Sequence, residues 1–128
     1  MIKKICLLFL CIYPLHVAAN PSLECSDAGS QVEIGACVSE AEQRVEAAMV
    51  IAQEIAMASA QELDDVTGRE VAVPAMNAAQ EAWAAYRDAQ CDAVGASFGG
   101  GSGTGIAIQS CRIELGRARI TELMSMAQ

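Results

Sequence analysis

Past its first nineteen residues the chain has no lysine and no histidine; Lys3, Lys4 and His16 are the only ones it carries. Serine and cysteine nucleophiles are ordinarily activated by such a neighbouring base or cation. Their usual arrangements are therefore excluded. The sixteen Asp and Glu residues all lie beyond residue 19. Two of them could in principle form a glycosidase-like pair, but no spacing singles a pair out. The chain reads as a non-enzyme with no expected cofactor. Large side chains are scarce as well: Trp83, Tyr86 and Phe98 are the only aromatics after residue 19. A core built mainly from alanine gains little at ~25 cal/mol per Å² of buried apolar surface. Small domains with thin cores usually need covalent cross-links.

What is present begins with export. Lys3 and Lys4 precede a short apolar run, Ile5 to Tyr13, and Val17-Ala18-Ala19 closes it with small residues. A charged head, a short apolar middle and a small-residue exit make a secretory signal. The run falls well short of the roughly 20 apolar residues that span a bilayer. Cys25 follows Leu23-Glu24 rather than small residues, which argues against a lipoprotein. The expectation is a signal peptide over 1–19 and a single domain over 20–128, periplasmic or secreted and not membrane-spanning after processing. That domain keeps six arginines against sixteen acids, a net charge of −10 over 109 residues. Nucleic acid and anionic lipid are excluded as partners, since both are bound through Lys and Arg. A basic protein would instead be drawn in.

Removing 1–19 also removes Cys6 and Cys11 and leaves Cys25, Cys37, Cys91 and Cys111. Four cysteines in an exported chain read as two disulfides. Eleven and nineteen residues separate the sequential pairs, and no histidine assists. That spacing is unlike the close ligand pairs of a zinc site. Local pairing, Cys25–Cys37 and Cys91–Cys111, is favoured because each pair brackets a segment with its own turn signals. A helical hairpin could also bring Cys37 towards Cys91, so the connectivity stays open.

Residues 20–29 are polar, contain Pro21 and show no period, which predicts an extended lead-in. Ser30 with Glu33, or Ser39 with Glu42, forms a capping-box pattern for the start of a long helix. Apolar residues then recur at Val38, Ala41, Val45, Ala48/Met49, Ala52, Ile55/Ala56 and Leu63. Steps of three and four make one helical stripe. Glu40 and Arg44 add a surface pair at i, i+4. Asp64 to Gly68 reads as a turn with Gly68 as C-cap, and Pro74 suits the first turn of a second helix. Its stripe passes through Met76, Ala79/Gln80, Trp83, Tyr86/Arg87, Gln90 and Val94. Gly95 to Gly105 holds six glycines, too entropically costly for regular structure, and is expected to be a loop. A third, short helix is expected from about Ile106, with Ile113, Ile120 and Leu123/Met124 on one face. No alternation is long enough for a strand. The fold class is all-α: a three-helix bundle, or a long hairpin plus a short C-terminal helix, with two disulfides.

The glycine loop is no phosphate loop, because it follows a helix and lacks the Gly-Lys-Ser/Thr ending. The segment from Gln80 to Cys91 is more distinctive. Trp83 and Arg87 are four apart, so the guanidinium can lie over the indole, and Tyr86 flanks the same stripe. Ala79-Gln80, Trp83, Tyr86-Arg87-Asp88 and Cys91 resemble the LprI-like lysozyme-inhibitor family of small exported bacterial proteins. Gly100-Gly101-Ser102, Cys111, then Arg117 and Arg119, follow in the family's order, and Cys25 and Cys37 fit its layout. The first helix departs from it in being Ala-rich, and the glycine loop is longer. The resemblance implies a helical inhibitor of lysozyme, with Trp83, Tyr86 and Arg87 as signature residues expected in the core. Asp88, Asp92, Gly100, Gly101 and Ser102 are the candidate partner contacts. The competing expectation is an envelope assembly protein that uses its long first helix to dimerise or dock.

Overall fold

A computed structural model describes residues 20–127. The segment 1–19, with the signal peptide expected there, lies outside the described residues. Four helices and no strand occur among those described. The short helix α1, Pro21–Glu24, occupies what sequence predicts as an extended lead-in. Asn20 makes the difference: its Oδ1 accepts from the Ser22 N–H at 3.0 Å, and Pro21 presets the first helical φ.

Helix α2, Gln31–Thr67, is 37 residues and so about 55 Å long. Of the two candidate starts the chain uses Ser30, whose hydroxyl accepts from the Glu33 N–H at 3.3 Å. Gly68 ends α2 at φ 65°, a left-handed position that suits glycine, and its N–H bonds the Asp64 carbonyl. Helix α3, Ala72–Ala96, carries Pro74 in its first turn as expected. Helix α4, Thr104–Met126, is 23 residues, nearly the length of α3 rather than a short tail.

The expected loop of Gly95 to Gly105 is therefore confined to residues 97–103. Gly95 closes α3 and Gly105 opens α4. Gly95 is buried because α4 comes so close: a Cβ there would lie 2.6 Å from Ile108 Cγ1. Glycine's entropy cost in a helix, roughly 0.5–1 kcal/mol, is outweighed by that approach. The same device recurs at Gly116 in α4, where a Cβ would meet Val45 Cγ1 at 2.6 Å.

The core has two contiguous parts. Cys25, Val38, Ala41, Val45 and Ile113 form one, next to the disulfides. Met49, Ala52, Ala56 and Leu123 form the other, with Met76 and Trp83 packed against it. The stripe of α2 ends differently from the expectation. Leu63 is 55% exposed, and Asp64 takes the inward position beyond Ala60. At Ile55/Ala56 the alanine turns inward, since small residues let α2 and α4 approach. Both disulfides are local, with Cα–Cα distances of 5.9 Å for Cys25–Cys37 and 5.5 Å for Cys91–Cys111. The first ties α1 to α2, the second α3 to α4.

Candidate partner-binding surface

Trp83 is half-buried between α2, α3 and α4, and two guanidiniums lie near its ring. Arg87 sits 5.2 Å from the ring centroid and Arg119 5.9 Å. Arg87 Nη1 donates to Glu46 Oε1 on α2 at 2.7 Å, and its Nε to Asp88 Oδ1 at 3.2 Å. Arg119 is buried; its Nε donates to Gln80 Oε1 at 3.2 Å and its Nη1 to Glu122 Oε2 at 3.0 Å. This cluster clamps α3 onto its neighbours, as befits scaffold. Tyr86, expected in the core with Trp83, is 54% exposed. Three residues along a helix rotate a side chain about 60° off its neighbour's direction, and here that rotation carries Tyr86 out to the flank of α3.

Arg117 makes a bidentate pair with Glu24, Nη1–Oε1 at 2.6 Å and Nη2–Oε2 at 2.9 Å, docking α1 on α4. Hydrogen bonding to that guanidinium holds the Glu24 carboxyl below its ordinary value and raises Arg117 in turn. Arg112 stands 3.7 Å from Glu42 and 3.9 Å from Asp88. The expected Arg44–Glu40 surface pair forms at 3.9 Å. Five of the six arginines are thus occupied within the domain. Nine acids are exposed without an ion-pair partner among the described residues: Asp27, Glu33, Glu54, Glu62, Asp65, Glu70, Glu81, Asp92 and Glu114.

Asp64 is a different kind of acid, and sequence reads it only as part of a turn. It is buried, and its carboxylate accepts from three backbone N–H groups that open α3. These are Val71 at 3.1 Å and Ala72 at 2.8 Å on Oδ1, and Val73 at 3.0 Å on Oδ2. The bonds from Val73 and Ala72, against some desolvation, hold its carboxyl below the ordinary value. Val71 caps α3 with no side chain of its own, so Asp64 serves as a cap from the preceding helix. The signal was available: an acid on the buried register of α2, four past Ala60, needs donors, and the next helix start supplies them.

The candidate contacts separate. Asp88 is drawn into the Arg87 and Arg112 pairs, while Asp92 stays exposed and unpaired. Gly100, Gly101 and Ser102 are exposed in the 97–103 loop, where Gly99 and Gly100 take φ of 65° and 82°. What sequence reasoning missed is a groove of about 660 Å³ beside that loop. Ile34 from α2, Tyr86 and Val94 from α3, Phe98 from the loop, and Ser110 and Glu114 from α4 line it. Among the described residues no three acids and cysteines stand together as metal ligands, and no helix is long and apolar enough to cross a membrane.

An uncharacterised protein of Rhizobium meliloti (strain 1021) is 31% identical over 127 residues, covering 95% of this chain and 91% of its own length. No solved structure matches. The family described as lysozyme inhibitor LprI matches residues 24–123, and the chain belongs to that family.

Proposed function

We propose that this is an exported, non-enzymatic protein that binds and inhibits a basic lysozyme, with residues 1–19 removed as a signal peptide. Membership of the lysozyme inhibitor LprI family over residues 24–123 is the observation that carries this reading. The charge distribution supports it. Internal pairing consumes most of the positive charge, so nine free carboxylates face solvent and would steer a cationic enzyme towards the domain. The two disulfides suit an oxidising compartment, periplasmic or extracellular. Asp92 and the Gly100-Gly101-Ser102 loop remain candidate contacts, with Asp88 acting through its arginine pairs.

A second reading has one observation in its favour. Val50, Ile51 and Ile55 on α2 are 53%, 58% and 41% exposed, an apolar patch suited to assembly through the long helix. A turbidity assay separates the two, with a basic muramidase clearing peptidoglycan in the presence of stoichiometric protein. Screening shortens the reach of exposed charges from ~30 Å at 0.01 M salt to ~8 Å at 0.15 M. Inhibition that weakens with salt yet persists near physiological strength supports the inhibitor. Undiminished clearing, with the helical fold verified, rejects it in favour of assembly.

A further inference from the structure

The groove beside the 97–103 loop has four features that together describe an occupant. Tyr86 and Phe98 on its walls are each 54% exposed, unusual for two of the three aromatics in the domain. Ile34 and Val94 add aliphatic surface to the lining. Ser110 lines it while more than nine-tenths buried, and its hydroxyl has no hydrogen-bond partner in the domain. Buried hydroxyls are overwhelmingly hydrogen-bonded, so this one is poised for a group from outside. Among the described residues the only charged side chain in the lining is Glu114, which has no ion-pair partner there; the nearby Arg117 is committed to Glu24.

No arginine lines the groove, and lysine is absent past Lys4, so nothing there neutralises an anion. We infer that the groove receives a segment of a basic protein that presents one cationic and one apolar side chain. The cation meets Glu114 and the faces of Tyr86 and Phe98, where ring quadrupoles attract it. The apolar group covers Ile34 and Val94, and a backbone amide of the segment completes Ser110. Charge complementarity with the −10 domain favours this occupant over a neutral saccharide, whose approach the acidic surface would not assist. The inference rests on the reading that the partner is a basic protein, and it moves the main contact from the glycine loop into the groove.

The test follows backbone amide NMR shifts of the oxidised domain with three probes. These are a short peptide of alternating Lys and Leu, its Glu-Leu counterpart, and an N-acetylglucosamine tetramer. The Lys-Leu peptide should shift Tyr86, Phe98 and Ser110, and the Glu-Leu peptide should not. Glu114→Gln and Tyr86→Ala, both surface changes, should each weaken its binding about tenfold. Glu54→Gln on α2 should change it less than about twofold, as an exposed charge remote from the site does. Shifts spread evenly over the acidic surface, equal losses at Glu54, or groove binding by the sugar alone would overturn the inference. Lysozyme inhibition unchanged by the groove variants would discard the groove and keep the inhibitor. Groove binding of the Lys-Leu peptide without lysozyme inhibition would do the reverse.

Discussion

Replacing Gly116 by alanine adds a single methyl at the tightest crossing in the bundle. Its Cβ would lie 2.6 Å from Val45 Cγ1, closer than carbon atoms tolerate, and 3.7 Å from Met49 Cε, an ordinary contact. Met49 can adjust. Val45 cannot, because a β-branched side chain in a helix is held in one χ1 rotamer. The strain must therefore push α4 away from α2, along the seam that supplies most of the core. Overpacking of this kind costs ~1–3 kcal/mol. Alanine returns up to ~1 kcal/mol through its higher helix propensity. The net effect should be a destabilisation of ~1–2 kcal/mol, lowering Tm by roughly 5–10 °C for a domain of this size. Circular dichroism melts under non-reducing conditions measure it. The decisive comparison is made in a Val45→Ala background, where Cγ1 is gone. There Gly116→Ala should be neutral or stabilising, since only the propensity term survives. An equal loss in both backgrounds, or a gain in the single variant, would refute close approach as the reason for this glycine.

Trp83→Ala should cost about 3 kcal/mol, the low end of the range for Trp truncation, because the indole is half-buried. Trp83→Phe should recover most of it in urea titrations, and an alanine variant within 1 kcal/mol of the parent would show the two-guanidinium cluster to be incidental. The Asp64 and Glu24 carboxyls are both lowered in the folded protein. Their contribution is complete above the ordinary carboxylate value of about 4 and is lost as pH falls through the depressed values. Asp64→Asn should lower Tm at neutral pH, and its gap to the parent should close on acidification. A gap independent of pH would mean that Asp64 acts by shape rather than charge.

Features set by neighbouring residues were legible. Ser30, Gly68 and Pro74 mark helix ends through local hydrogen bonding and φ preference, and they do so in the structure. The Trp83–Arg87 contact follows from i, i+4 spacing alone. Features set by tertiary approach were not. Gly95 reads as a loop residue until Ile108 is placed against it, and no spacing relates Arg119 to Trp83 until α4 is packed on α3. The stripe of α2 reads to Leu63 with Asp64 in the turn, because the donors that settle Asp64 on the buried side belong to the next helix. The groove was the least accessible. Ile34, Tyr86, Phe98 and Ser110 come from four separate stretches, and no spacing relates them.

Both disulfides sit at the end of the bundle that holds the groove and the 97–103 loop. At the other end, neither core cluster takes a residue of α2 beyond Ala56, and the hairpin tip hangs on the three bonds to Asp64. Local opening is cheapest where buried contacts are fewest. Among the three long helices, the amides at the α2–α3 tip should therefore be the first to exchange with solvent. The disulfides hold the helices together at the other end, so a partner that docked there would have less helix motion to arrest.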